Sequence, residues 1–305
     1  MLDQSPTLAC GLPSEDAFRL LAGRCLAAVE TEAEAFVATE QPDALHRTRV
    51  ALRRVRAILS LFKELVGGED ADAVRRRLGE QARILGVARN CDVYLAETLA
   101  PVQDAYDDLP GLAGLEESVR ARRQQAYDAA LDGLRGGALT EALAECRAWL
   151  LGGAWTFDPE RADLRAEPVE AFAARVLRRW RRRIRRNGRH LAGMDGDTRH
   201  RLRIAAKKLR YAAELFAELF PGREARSRYR ALVTALRNVQ DHLGRLNDTV
   251  VAYREVDALI GDASGPHSFA AGFVAGRKTR GDETHLTKAL AAYERFAATK
   301  PFWKA

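Results

Sequence analysis

Long apolar runs are missing from this 305-residue chain. Arg or Glu interrupts each one well before the roughly 20 apolar residues that a membrane-spanning helix needs, so no such helix is expected. The stretch from Met1 to Pro13 lacks a cationic start followed by an apolar segment, so a secretion signal is not expected and a cytoplasmic location is. Aromatic residues are scarce, at 7%. Nowhere does the sequence alternate apolar and polar residues as a half-buried strand would. The four cysteines, Cys10, Cys25, Cys91 and Cys146, are too scattered for metal-ligand spacing and read as small core residues. Lysine is scarce as well: seven of the 49 basic residues are Lys and the rest Arg, against 42 acids, for a formal charge of +7. A GC-rich genome accounts for much of that bias, but not for where the arginines sit. Arginine is the better planar, multidentate partner for phosphate oxygens, so position is informative.

What is present is an all-α pattern. Ala, Leu, Arg and Glu dominate, and 47% of the chain is apolar, a composition that favours long helices around a real core. Ser14 is placed to cap a first helix running to about Thr39. Pro42-Asp43 opens a second that continues through Val66 to Gly67-Gly68. A third is expected from about Asp70 to between Gly86 and Asn90, with shorter helices to about Ala100, over Leu112–Leu134 and over Ala138–Leu151. Residues 152–165 (GGAWTFDPERADLR) read as a linker. A second series follows: about Pro168 to Arg189, Asp197 or Thr198 to Phe220, Arg223 to Leu246, Asp248 to Ile260 and Thr284 to Thr299, with a short helix in 267–278.

The two series are copies. At an offset of 154, Ala17-Phe18 falls on Ala171-Phe172, Arg24 on Arg178, and His46-Arg47 on His200-Arg201. Arg49 falls on Arg203, Arg53-Arg54 on Lys207-Lys208, Arg56 on Arg210, and Leu61-Phe62 on Leu215-Phe216. After a small insertion, Leu85-Gly86 corresponds to Leu243-Gly244. One offset held across two helices implies two copies of one helical unit, arranged about a pseudo-twofold axis.

The repeated helix carries the candidate chemistry. His46, Arg49, Arg53 and Arg56 lie at i, i+3, i+7 and i+10, on one narrow stripe beside an apolar one of Leu52, Val55, Leu59, Phe62 and Val66. In the copy, His200, Arg203, Lys207 and Arg210 form the basic stripe, and Leu202, Leu209, Ala213, Phe216 and Phe220 the apolar one, with Tyr211 flanking the charges. Like charges at these spacings repel by a few tenths of a kcal/mol per pair. A solvated face usually mixes in acids, and neither stripe holds one. Arg24, Arg83, Arg178, Arg182, Arg230 and Arg237 are secondary candidates for contact with a polyanion. Metal binding is not expected, because cations surround both histidines. Nor is catalysis: no orienting carboxylate, nucleophile, phosphate-cradling Gly loop or set of acidic metal ligands accompanies them.

At these residues the sequence resembles the CHAD family, the conserved histidine α-helical domain. The resembling motifs are HRTRVALRRVRAILSLF from His46, ILGVARNCDVYL from Ile84, HRLRIAAKKLRYAAELF from His200, LGRLND from Leu243, and the C-terminal KPFWKA. The resemblance implies two antiparallel four-helix bundles related by pseudo-twofold symmetry around a central basic pore or groove. It also implies non-catalytic binding of inorganic polyphosphate and association with polyphosphate granules. The binding residues map to His46, Arg49, Arg53, Arg56, His200, Arg203, Lys207 and Arg210. No cofactor and no membrane partner are expected. A nucleic-acid or general polyanion binder using the same surface is the alternative. The domain is expected over 14–305, with a first half of about 14–151, the linker at about 152–165, a second half of about 166–305, and a flexible 1–13 before it. Two departures follow from the comparison. Asn90 stands where the family commonly has Asp, which leaves Arg89 or a neighbour without that orienting carboxylate. The Glu-x-Glu-x-Lys strand of the CYTH triphosphatase domain often fused to CHAD is absent, so a stand-alone CHAD protein is expected.

Overall fold

The computed structural model describes residues 8–106, 108–260, 266–279 and 282–304, and among them every regular element is helical. In order these are α1 (Ser14–Thr39), α2 (Pro42–Leu61), α3 (Lys63–Val66), α4 (Glu69–Val93), α5 (Ala100–Gln103), α6 (Leu112–Arg135), α7 (Ala138–Gly152), α8 (Ala162–Ala166), α9 (Val169–Gly188), α10 (Gly196–Phe216), α11 (Arg223–Ile260), α12 (Pro266–Thr279) and α13 (Asp282–Ala298). None is long and apolar enough to cross a membrane among the described residues.

The chain divides into two compact units. One comprises Glu15–Ala166 with Leu259–Val274, the other Glu167–Ala258 with Met1–Ser14 and Ala275–Ala305. In the first, α4 packs against α2, α6 and α7. Its core includes Phe18, Phe36, Phe62, Trp149 and Trp155, all buried. In the second, α9 lies along α10, and Phe172, Phe216, Phe296 and Phe302 fill the interior.

Helix starts follow local chemistry. Pro42 occupies the first turn of α2, where its missing N–H costs nothing. Asp195 accepts from the Thr198 amide at 2.7 Å to cap α10. Gly111 and Gly137, with φ of 83° and 82°, enter α6 and α7 through the left-handed region that a side chain disfavours.

Several boundaries differ from expectation. The helix opened by Pro42 breaks at Phe62 (φ −89°, ψ 14°) before α3 resumes it. Gly86 does not end α4, which runs to Val93 and continues through a π-helical widening at Tyr94–Leu99 into α5. An interior Gly costs about 1 kcal/mol relative to Ala, less than the burial of Leu78, Leu85, Ala88 and Cys91 along the same helix returns. Likewise, the division expected between Leu246 and Asp248 is absent, and α11 is continuous.

Within 152–165, Trp155 is buried in the core while Phe157 and half of the other residues are exposed. The Trp155 ring meets Phe18 edge-on at 5.4 Å, its Nε1 donates to the Trp149 carbonyl, and Arg165 donates to the Trp155 and Asp158 carbonyls. Ser14 does not cap its own helix. Its Oγ donates to the Glu167 carbonyl at 2.7 Å, beside an antiparallel bridge between Pro13 and Pro168. Residues 1–7 of the segment expected to be flexible lie outside the described residues; Leu8, at its other end, is buried. Of the cysteines, Cys91 and Cys146 are core residues, and burial pushes the Cys146 thiol up to about 12. Cys25 is half-buried and Cys10 exposed.

Candidate anion-binding helices

The α2 sequence sorts itself into two faces. Leu45, Leu52, Val55 and Leu59 are buried, while His46, Arg53 and Arg56 are exposed and Arg49 is half-buried. The neighbour on the basic side is α4, running antiparallel. Nη1 of Arg49 donates to the Leu85 carbonyl at 3.2 Å. Its guanidinium lies so close to Gly86 that a Cβ there would stand 2.9 Å from Nη1. One heptad away the register repeats, with Nη2 of Arg56 3.8 Å from the place of a Cβ on Gly79. Burial, then Arg53 and Arg89, lowers the proton affinity of the Arg49 guanidinium. It stays charged regardless.

The second unit builds the same arrangement from α10 and α11. Nε of Arg203 donates to the Gln240 carbonyl at 3.4 Å, and its guanidinium rests on Gly244, where a Cβ would be 3.2 Å from Nε and Nη2. Arg210 differs from its counterpart Arg56. It donates to Oε1 of Gln240 at 3.2 Å and forms an ion pair with Glu214 at 2.7 Å. Lys207 and Arg210 flank the Tyr211 ring, 5.9 and 4.9 Å from its centroid. His200, Arg203, Lys207 and Arg210 are all half-buried.

One residue of the first site is not among the sequence candidates. Arg89, on α4, is close enough to His46 to act on its charge. His46 is held below its ordinary value by partial desolvation first, then by Arg89, Arg53 and Arg49, with Asp43 opposing. Nη1 of Arg89 lies 4.0 Å from Oδ2 of Asp92. The carboxylate missed at Asn90 is therefore supplied one helical turn beyond Arg89. Asp92 is buried, and it accepts from Nε of Arg123 at 2.7 Å and from the Tyr127 hydroxyl at 2.8 Å. Burial and then Asp92 push the Tyr127 hydroxyl well up. The signal available in the sequence was the i, i+3 spacing of Arg89 and Asp92 inside ILGVARNCDVYL.

The secondary candidates are not gathered in one place. Arg24 on α1, Arg83 on α4, Arg178 and Arg182 on α9, and Arg230 on α11 are exposed and make no ion pair or hydrogen bond among the described residues. Arg237 lies in the Arg210 neighbourhood, since Tyr229 feels both charges along with Glu214. Among the described residues, no three His, Cys, Asp or Glu side chains converge as metal ligands.

A family model described as the CHAD domain matches residues 20–257. The crystal structure of the CHAD domain from the plant Ricinus communis is 27% identical, covers 97% of each chain and superposes with a TM-score of 0.80. PptA from Streptomyces chartreusis, 16% identical, covers 93% of this chain and 100% of its own with a TM-score of 0.66, which speaks for the fold alone. No curated protein matches.

Proposed function

The chain belongs to the CHAD domain family, and from that premise we propose that it binds inorganic polyphosphate without catalysis, through His46, Arg49, Arg53 and Arg56 on α2 and His200, Arg203, Lys207 and Arg210 on α10. Two bundles related by a pseudo-twofold axis around a central basic pore, a cytoplasmic location and targeting to polyphosphate granules belong to the same proposal.

The observation that carries it is the duplicated placement of Arg49 and Arg203. Each guanidinium is tied to a backbone carbonyl of the neighbouring helix and lies against a glycine. An arginine already held in one geometry spares much of the roughly 0.5–1.5 kcal/mol that ordering a long side chain costs on binding. Its remaining N–H groups suit the non-bridging oxygens of a phosphate chain. A linear polyanion reaching two such stripes releases condensed counterions, an entropic gain that shrinks as salt rises. Neither stripe interleaves aromatic platforms for bases; Tyr211 is covered by Lys207 and Arg210.

The test is calorimetry of long-chain polyphosphate at two salt concentrations, with wild type, His46→Ala/His200→Ala and Arg49→Gln/Arg203→Gln. Loss of two charge-assisted contacts of about 1.5 kcal/mol each predicts weakening on the order of 100-fold in the arginine variant. Salt-insensitive binding, or variants as tight as wild type, contradicts the assignment.

A further inference from the structure

The net charge of this protein resides in one helix. Val169–Gly188 contains eight arginines and one glutamate, a formal +7, which equals the charge of the whole chain; the remainder is balanced. The corresponding helix of the other copy, α1, carries two arginines and five acids over Ser14–Thr39, a formal −3. On the core side the two agree, Ala17-Phe18 matching Ala171-Phe172. On the solvent side, Arg182, Arg186 and Arg189 fall on Ala28, Glu32 and Ala35. Two of the acids of α1 are also neutralised, Glu30 by Arg147 and Glu32 by Arg47, both at 2.7 Å. A genome-wide preference for arginine acts on both helices alike and does not separate them. The chemistry that the two copies share therefore does not require the α9 charge.

The geometry of α9 is that of a track. Phe172, Val176, Trp180 and Ile184 are buried, whereas Arg178, Arg179, Arg182, Arg183, Arg185 and Arg186 are exposed, as is Arg189 just beyond the helix. Arg175 is occupied by Glu167 and Arg181 by the Thr299 carbonyl. No carboxylate pairs with Arg178, Arg182, Arg185, Arg186 or Arg189 among the described residues. The helix C-terminus favours cations in its last turn, which accounts for Arg185 and Arg186 but not for the run before them.

We infer that the exposed arginine face of α9 is a separate docking surface for the phosphate backbone of duplex nucleic acid, read without regard to base sequence. From Arg178 to Arg189 the helix advances about 16 Å, over which one strand of a duplex presents about five phosphates. The face matches that charge density with guanidinium groups, which bind phosphate oxygens in pairs. It offers no exposed aromatic ring on which unpaired bases could stack, because Trp180 is buried. It offers no apolar anchor for a lipid surface either.

The experiment compares the full chain with Arg183→Gln/Arg185→Gln/Arg186→Gln/Arg189→Gln, by fluorescence anisotropy of a mixed-sequence DNA duplex across a salt series, with long-chain polyphosphate in parallel. Duplex affinity is expected to fall at least tenfold at low salt, and the slope of log K against log salt to flatten by about 3.6, at roughly 0.9 for each of four lost phosphate contacts. Polyphosphate affinity is expected to stay within about twofold. Unchanged duplex binding, no duplex binding by wild type, or equal losses for both polyanions overturns the inference. Loss of binding to phosphatidylserine vesicles instead of duplex also overturns it. Single Arg182→Glu, which keeps the rest of the helix, is expected to shift duplex binding in the same direction and guards against a misfolded quadruple variant. The His46→Ala/His200→Ala chain in the same assay separates this inference from the polyphosphate reading, because it should lose polyphosphate and keep duplex.

Discussion

Arg49 lies across Gly86: its guanidinium occupies the space that a side chain on that residue would fill, with Nη1 2.9 Å from the position of a Cβ. The same relationship joins Arg203 to Gly244 in the second copy. Both glycines sit inside long continuous helices, where neither a turn nor a cap requires them.

Gly86→Ala is therefore expected to separate stability from binding. Alanine removes up to about 1 kcal/mol of helix penalty, so the melting temperature should hold or rise. The methyl group pushes Arg49 off the Leu85 carbonyl, and polyphosphate affinity should fall several-fold. Gly244→Ala, with contacts of 3.2 Å, should show the milder form of both effects. Paired melting and calorimetry check this; affinity equal to wild type would show that the glycine does not position the arginine.

Binding should take up protons at His46. Its free-state value is held below 6.5, and a phosphate chain favours the protonated ring. Affinity should rise as pH falls through the ligand-bound value and level off below the free one. For folding the sign is opposite. The unfolded chain holds this proton more tightly, so the His46 contribution to stability is lost as pH drops through 6.5 towards the folded value. Calorimetry in buffers of different ionisation heat, at about pH 6 and 8 around the unperturbed imidazole value, measures the uptake. His46→Gln should reduce it, and an unreduced uptake would assign the proton elsewhere.

Asp92→Asn should weaken the fold and the first site together. The buried carboxylate holds Arg123 and the Tyr127 hydroxyl, and it stands beside Arg89. Losing a charged acceptor inside a hydrogen-bonded group costs about 2 kcal/mol or more. Denaturant titration should show that loss, and Tyr127→Phe a smaller one of about 1 kcal/mol. An Asp92→Asn chain as stable as wild type would remove the network from the account of how Arg89 is held.

Glu214→Gln should act in the opposite direction on binding. Glu214 engages Arg210 four residues earlier on α10, a pair of a kind worth under about 0.5 kcal/mol to stability. Releasing Arg210 should leave melting nearly unchanged and raise polyphosphate affinity about two- to threefold, as one added cation would. A decrease would mean that Glu214 orients Arg210 for the ligand instead of competing with it.

Much of this architecture is legible from periodicity. The first helix, the stripe of His46, Arg49, Arg53 and Arg56, and its copy on α10 follow from residue spacing alone, because the 3.6-residue period decides which side chains share a face. The continuity of α4 through Gly86 and of α11 past Asn247 was not legible. Local glycine and turn signals there are outweighed by burial that the chain secures only once distant helices pack, as Leu85 and Leu243 do. Within 152–165, whose polar and glycine content reads as a connection, the burial of Trp155 was equally illegible.

The amino-acid sequence by itself determined the all-helical class, the duplication and the two basic stripes, since each is a matter of composition and spacing along one helix. Only the tertiary structure decided that Arg89 joins His46, and that Arg210 is engaged by Glu214 while Arg56 makes no such pair among the described residues. It also decided that Arg49 and Arg203 lie on glycines of the neighbouring helix. The Arg210–Glu214 pair lies within one helix, where spacing allows it and the surroundings select it. The approach of Arg89 to His46 and the seating of Arg49 and Arg203 on those glycines depend instead on the register of one helix against another. That register is set by the interlocking of buried side chains far apart in the chain.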